Sequence, residues 1–523
     1  MTGHNRNYPG ILIVLVSLIA VACAPQRPPP MSDDGYPLPA AREVFTSGFA
    51  SIKERYIEVA NPGQFAMEGL HGLGSIDPAV TIESDGRDVV VKISGSIAGR
   101  FPAPDLEDND GWADLTVQIT ALGRQYSAEM KKASAEKIYE SIFDGILSNL
   151  DIYSRYAGSS EARKNRAKRS GFGGIGVRFK IVKNLPQVTF VMPDTPAHKA
   201  RIKMGDRITH ADGHALSGLR KSLIIEKLRG PLHSNITLRI ERNGQSTPLL
   251  VKLERAHIVA DTVTYGHKNG IVYLKISTFN QATARNMLRK LKKAHTDLGD
   301  DIKGIVLDMR GNPGGLLKQS IQVADLFLAQ GRISETRGRH PDSLQSYDAG
   351  GRDMAYGRPV IVLVDGGSAS AAEVAAAALQ DRGRAVVIGT SSFGKGTVQT
   401  VLRLPNEGEI TLTWSRLIAP SGFVLHGLGV FPTICTSGTD GNSDNGQAVI
   451  EKALSDRIKT TAVMEAWRRT DFQEKKHRQE LRNFCPPERR KLQLDSKVAE
   501  AVLNSKALYA RTLNLSATAA AAR

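Results

Sequence analysis

The chain runs to 523 residues, 41% of them hydrophobic, which is enough apolar material for several domains with cores of their own. With 23% charged residues it does not read as an integral membrane protein. A formal net charge of +16 raises nucleic acid as a partner, but the basic residues are scattered, with local runs at 163–169 and 475–491 and no basic groove interleaved with aromatic side chains. Nucleic acid is therefore set aside, and anionic lipid headgroups or cell-wall polymers suit such a charge better.

The first predicted element lies at the N-terminus. His4 and Arg6 precede an apolar run over 11–22, too short to span a bilayer comfortably, that ends at Ala20-Val21-Ala22-Cys23. This is the pattern of an export signal over residues 1–22, and it resembles a bacterial lipobox. The resemblance implies that Cys23 is lipidated as the mature N-terminus, holding the chain to a membrane on the periplasmic side of a bacterial cell envelope. Ala20 stands where Leu or Val is usual, so a cut before Cys23 by ordinary signal peptidase and an uncleaved anchor stay open. The proline-rich residues 23–40 read as an extended tether. With Cys23 committed to lipid, Cys435 and Cys485 are left as an even pair in an oxidising compartment and form the disulfide candidate, two free buried thiols being the alternative. Neither lies at a histidine spacing that suggests zinc, and no metal or other cofactor is expected.

Residues 41–170 form an N-terminal helical region. Phe45, Phe49, Ile52, Tyr56 and Val59 recur at helical steps in a mostly helical stretch over 41–76, and a second such stretch over 134–150 ends at Asp151. Between them, in an insert over 79–133, the runs 88–94 and 115–120 are predicted strands. Residues 171–254 follow. Gly173-Gly174-Ile175-Gly176-Val177-Arg178-Phe179 is a glycine-rich loop running into a strand, Thr195-Pro196-Ala197 opens a helix, and Lys203-Met204-Gly205-Asp206 and Leu228-Arg229-Gly230-Pro231 are turns. This succession resembles a PDZ domain. The resemblance implies that Gly174, Ile175 and Gly176 offer N–H groups to the terminal carboxylate of a peptide while Val177, Arg178 and Phe179 pair with it by strand addition. Arg201 replaces the glycine usual after Ala200, and His233-Ser234 depart from the usual Pro-Gly-Thr turn. A PDZ-shaped spacer that binds nothing is the bland alternative.

Over 255–435 strands and helices alternate. Runs at 271–276, 305–309, 360–364 and 385–388 read as strands, with helices over 283–295, 320–329 and 371–380, an α/β layer pattern. Asp308-Met309-Arg310-Gly311-Asn312-Pro313-Gly314-Gly315 ends a buried strand in a glycine-rich turn whose N–H groups can approach a ligand. Gly366-Gly367-Ser368-Ala369-Ser370-Ala371-Ala372-Glu373 breaks the strand 360–364 and sets Ser370 at the mouth of an alanine-rich helix, where an oxyanion would meet first-turn N–H groups. Phe393-Gly394-Lys395-Gly396-Thr397-Val398-Gln399 follows, and a lysine serves as base if burial keeps its amine neutral. Each motif alone has a bland reading. Ser370 and Glu373 fit a helix capping box, and 389–395 is a near miss to the phosphate-binding G-x-x-x-x-G-K-[ST] that fails at Gly396. His426, beside a turn glycine, is a turn or core residue before it is a catalytic one.

Together, in order and spacing, the serine and lysine motifs resemble those of the carboxyl-terminal processing peptidases, or tail-specific proteases. The resemblance implies a crotonase-like βαβ superhelical core carrying an inserted PDZ domain and an N-terminal helical cap. It implies Ser370 as nucleophile, Lys395 as base, Gln399 as support for the lysine, and oxyanion N–H groups from Ala371 and from Gly314 or Gly315. Substrates would be unfolded or tail-exposed proteins, with an adaptor or activating protein as a further candidate partner. Ala372 stands where a last serine is usual and Thr433 where aspartate is usual. Residues 436–513 read as a C-terminal helical region, including a helix over 448–458, and the alanine- and serine-rich 514–523 as a disordered tail. The reading is an exported serine endopeptidase. Two other classes stand beside it: a non-enzymatic PDZ scaffold or chaperone, against which intact Ser370, Lys395 and Gln399 argue, and a crotonase-like acyl-CoA enzyme, which neither a PDZ module nor an export signal would serve.

Overall fold

Three units succeed one another in the computed structural model, which describes residues 35–439, 446–489 and 493–521. The export signal, Cys23 and most of the tether lie outside the described residues. In the first unit, helices Leu38–Arg55, Pro62–His71, Asn109–Tyr126 and Ala135–Leu150 close around Phe45, Phe49 and Phe143, with Val80–Ser84, Asp88–Ile93 and Ser96–Pro102 as a three-stranded antiparallel sheet. The stretch over 41–76 is two helices because Asn61 starts a new one: its Oδ1 accepts from the N–H groups of Gly63 at 3.1 Å and Gln64 at 3.4 Å, and Pro62 fills the first helical position. The strand expected at 115–120 is corrected. Those residues lie inside Asn109–Tyr126, whose buried Trp112, Leu115, Thr116, Ile119 and Gly123 recur at helical steps behind the capping Asp108. A six-residue β-branched run fits either period, and tertiary burial along one stripe decides it.

The PDZ unit has its own core around Ile175, Val188, Ile208, Leu238 and Ile240. Its main sheet runs Leu249–Glu254, Asn235–Glu241, Arg207–Ala211, Leu185–Val191, Val177–Val182, which leaves the last of these as an open edge. The strands that enter and leave it, Phe172–Gly174 and Ala256–Ile258, pair antiparallel, so the domain hangs on a two-stranded neck. Arg201 and His233, the residues standing in place of the usual glycines, keep a left-handed backbone, with φ of 57° and 64°.

The third unit is a layered α/β structure. Val263–Lys268 pairs antiparallel with Ile271–Ile276, and Gly304–Asp308, Val360–Val364, Val386–Gly389 and Ile434–Cys435 continue the sheet in parallel. Every residue of Val360–Val364 is buried, as a parallel strand covered on both faces requires. Helices Thr283–Leu298, Leu317–Asp325 and Ala371–Asp381 contribute to the core on one side, while Gln493–Leu503 and Lys506–Ala521 contribute Val498, Val502 and Leu508 on the other. The disordered tail expected over 514–523 is corrected for its described part: helix Lys506–Ala521 continues over 514–521, and 522–523 lie outside the described residues. Alanine has the strongest helix propensity, and Tyr509 fastens this helix to the sheet by accepting from the N–H of Val360 at 3.1 Å. A second sheet, in the order Gln345–Ala349, Gly331–Arg337, Glu409–Ile418, Thr397–Arg403, also takes Arg155–Ala157 from the cap. Leu404, Ile410 and Leu412 join the core of the cap, which is thus fused to the α/β unit. Cys435 and Cys485 are joined as a disulfide. Among the described residues no helix is long and apolar enough to cross a membrane.

Candidate active site

Two loops leave the carboxyl ends of neighbouring parallel strands and are laced together. After Val364, the Asp365 carboxylate accepts from the N–H groups of Gly311 at 2.8 Å and Gly367 at 2.9 Å. Ser368 donates its hydroxyl to the carbonyl of Met309 at 2.9 Å, and Ala369 donates its N–H to the carbonyl of Asn312 at 2.9 Å. Ser370 therefore emerges from a fixed turn, with φ of 55° and ψ of −117°, as the last residue before helix Ala371–Asp381. A left-handed backbone is costly for a serine and persists only where its surroundings impose it. The neighbouring Gly314 is constrained too: a Cβ there would fall 2.9 Å from the Ser370 Cβ and 3.0 Å from the Ala371 nitrogen.

Glu373 ties this turn to the lysine loop. Its carboxylate, fully buried, accepts from the N–H of Ser370 at 2.6 Å, from the N–H groups of Gly394 at 2.6 Å and Lys395 at 2.9 Å, and from the hydroxyl of Ser392. Burial pushes the carboxyl up, against the pull of these donors. The Lys395 amine lies 4.7 Å from the centre of the Tyr153 ring. Burial lowers its pKa, and the charge of Arg155 acts in the same direction, while Asp151 and Glu373 oppose. Loss of water is thus the main cause of a shift in the direction a lysine base needs.

The other sequence-predicted groups are placed as follows. Gly314 gives its N–H to the Asn312 side chain at 2.9 Å, whereas among the described residues no hydrogen bond takes the N–H of Gly315 or of Ala371. Gln399 donates its amide to the hydroxyls of Thr397 at 2.9 Å and Thr413 at 3.4 Å and not to Lys395. No hydrogen bond joins Ser370 to Lys395 among the described residues. His426 packs against Tyr153 and Phe472, and burial, with Arg416 and Arg478 nearby, lowers its pKa. The loops open on a cleft of about 800 Å³, lined by Ala369, Phe393, Lys395 and Tyr153 on one part and by Arg489, Gln493 and Ser496 on another. Among the described residues no group of three or more His, Cys, Asp or Glu side chains is gathered as a metal site.

The model of Peptidase family S41 matches residues 270–436, which span both loops, and that of the PDZ domain matches 173–253. A carboxy-terminal-processing protease of Bartonella bacilliformis is 40% identical over 301 residues, 57% of this chain and 69% of that protein. The chain belongs to peptidase family S41. A probable CtpA-like serine protease of Staphylococcus saprophyticus is 32% identical over 306 residues, covering 58% of this chain and 61% of that protein. A solved photosystem II D1 C-terminal processing protease is 20% identical and covers 76% of this chain and 95% of its own, with a TM-score of 0.38, too slight a likeness to carry an argument. As an S41 peptidase the protein is a serine-type endopeptidase, and its PDZ domain fits peptide or protein substrates.

In this S41 peptidase the six residues expected to hold a peptide, Gly174 through Phe179, line one groove of about 390 Å³. Its opposite wall is helix Lys221–Leu228, with Lys221, Ile225 and Leu228 facing in, and Arg229 beyond it lies 3.5 Å over the Phe172 ring. Sequence reasoning missed three parts of the site. Glu373 was visible only as a capping residue, and its bonds to the lysine loop have no local signal. Arg310, between Asp308 and Asp495 with contacts of 2.9 Å and 3.0 Å, was part of a quoted motif without a role. The C-terminal wall of the cleft had no signal at all.

Proposed function

We propose that this S41 peptidase works in a bacterial cell envelope, grips exposed apolar carboxyl tails in the PDZ groove, and cuts the chain upstream with Ser370 as nucleophile and Lys395 as base. The observation that carries this reading is the Glu373 carboxylate, which fastens the N–H of Ser370 and the N–H of Lys395 to one buried point. In the reaction, neutral Lys395 takes the Ser370 proton while Oγ attacks the scissile carbonyl. The oxyanion is received by the N–H groups of Ala371 and Gly315, and the ammonium then protonates the leaving amine. Water repeats the sequence on the acyl-enzyme. Hydroxyl and amine are not hydrogen-bonded in the free protein, so bound substrate has to draw them together. Gln399 holds its amide nitrogen on two threonines and would support the amine through its oxygen, and no proton transfer is assigned to it.

The same reading takes the catalytic core for a crotonase-like superhelix of βαβ units, supported by the run of parallel strands alternating with helices. Lipid on Cys23 would hold the enzyme at a membrane surface, and the Cys435–Cys485 pairing suits an oxidising compartment. An activating partner that helps close the dyad fits the open arrangement of Ser370 and Lys395. No observation favours the scaffold or the acyl-CoA reading. The test is terminal-peptide mass spectrometry of envelope proteins from cells carrying wild-type enzyme or Ser370→Ala. Carboxyl-terminal fragments should vanish, with their parent proteins accumulating, in the variant; identical termini in the two strains would refute the reading.

A further inference from the structure

The chain beyond residue 436 lies outside both family matches, yet it reaches the catalytic loops at several points. Helix Lys475–Arg482 ends beside the lysine loop. Arg482, only 8% exposed, donates Nη1 to the carbonyl of Leu428 and Nη2 to the carbonyls of Ser392 at 3.0 Å and Phe393 at 3.4 Å. A Cβ on Gly394 would fall 3.2 Å from Nη1, so the guanidinium lies against the residue that precedes Lys395. Three residues on, Cys485 is bonded to Cys435 at the end of the central sheet. Further still, Glu488 accepts the N–H of Gly366 at 2.9 Å on the serine loop and donates its own N–H to Thr390 Oγ1 at 3.1 Å.

We infer that Arg482 is a positioning residue for peptide cleavage: by gathering the carbonyls of Ser392, Phe393 and Leu428 on one guanidinium, it keeps the lysine loop seated on Glu373, the carboxylate that also holds the Ser370 turn. The inference rests on the reading of Ser370 and Lys395 as the reacting pair. Ser392 and Phe393 belong to no helix or strand, so no ladder satisfies their carbonyls, and for the buried Ser392 a buried donor has to. The planar, always-charged fork presents donors on two separate nitrogens to these three carbonyls, a spread that neither a lysine's single nitrogen nor a neutral amide reproduces. Among the described residues Arg482 makes no ion pair. Burial works to lower its pKa, and the acid that offsets this is Glu373, so the cation and the carboxylate that flank the backbone of Gly394 stabilise each other.

The test compares Arg482→Gln, Arg482→Lys and Ser370→Ala in the full chain, on a fluorogenic peptide with a free apolar carboxyl end. Arg482→Gln should lower kcat by about 10- to 100-fold with KM within about twofold, since the reacting groups are displaced while the groove is untouched. The pH at which kcat rises should shift as well, because Glu373, Asp151, Arg155, Tyr153 and His426 all face the Lys395 amine and their distances to it change. Arg482→Lys, which keeps the charge and fewer of the bonds, should fall between wild type and Arg482→Gln. A wild-type kcat and pH inflection in Arg482→Gln overturns the inference. Should Arg482→Gln not fold, Arg482→Lys decides alone, and an unchanged kcat and inflection there overturns it. Turnover by Ser370→Ala would instead sink the underlying dyad, whereas an inert Ser370→Ala beside fully active Arg482 variants would sink Arg482 only.

Discussion

The proposed peptide groove and the proposed catalytic cleft are built to different plans. The groove takes most of its wall from 172–179 and 221–229 of one domain, with Thr189 and the neck residue Ile258 added, over a core that no other unit shares. The cleft takes Tyr153 from the cap, three glycine-rich loops from the parallel sheet, and Arg489, Gln493 and Ser496 from the C-terminal segment. A site assembled within one hydrophobic core keeps its geometry when distant parts of the chain are disturbed. One assembled from separate units depends on every contact between them, so substitutions far from the reacting atoms reach the chemistry.

The largest effect that would sharpen this contrast comes from Ser370 and Lys395, the proposed reacting pair. Ser370→Ala and Lys395→Ala should each lower kcat by about a thousandfold or more while leaving the affinity for a tail peptide unchanged, as calorimetric titration would read. Lys395→Arg should fail equally, because a guanidinium does not give up its proton at working pH. With the neutral amine as the proposed base and burial lowering its pKa, wild-type kcat should climb with pH through a value below that of ordinary lysine. Weakened tail binding in Lys395→Ala would break the separation between groove and cleft. Next, Glu373→Gln should cut kcat by about a hundredfold and stability by about 1–3 kcal/mol, because one buried carboxylate serves donors from both loops. Retained kcat with lowered stability would reduce Glu373 to a packing residue.

From the other side, amidating the tail of a substrate should raise KM about tenfold through loss of the anion that the glycine N–H groups receive, with the rate of Ser370 labelling by a fluorophosphonate unaltered. Equal KM for free and amidated tails would deny the groove its carboxylate. The smallest effect belongs to the PDZ turn. Arg201→Gly should stabilise that domain by about 1 kcal/mol, since a left-handed φ of 57° costs an arginine what glycine avoids, and the shift should appear in calorimetry without a change in kcat.

The same contrast explains what was legible in the sequence. The PDZ groove could be read residue by residue because its parts follow the chain, and the departures at Arg201 and His233 are occupied by residues that accept the glycine backbone. In the catalytic unit, glycine punctuation around Ser370 and Lys395 marked both loops. That Glu373 joins them was hidden, because Ser392, Gly394 and Lys395 reach it through tertiary contact. Gly314 and Gly315 were indistinguishable until the Asn312 side chain took one of the two N–H groups. The strand misread at 115–120 was decided by burial along one helical stripe, through Trp112 and Ile119, whereas in the tail the alanines themselves favour the helix that their composition alone did not suggest.

The central claim, that Ser370 and Lys395 work as one unit, is tested most directly by kcat/KM for Ser370→Ala, Lys395→Ala and the double variant on one tail-bearing peptide. If they form one unit, the double variant should lose no more than about the worse of the two single variants. Losses that multiply, or substantial turnover by Lys395→Ala, would show that serine and lysine act apart and would contradict it.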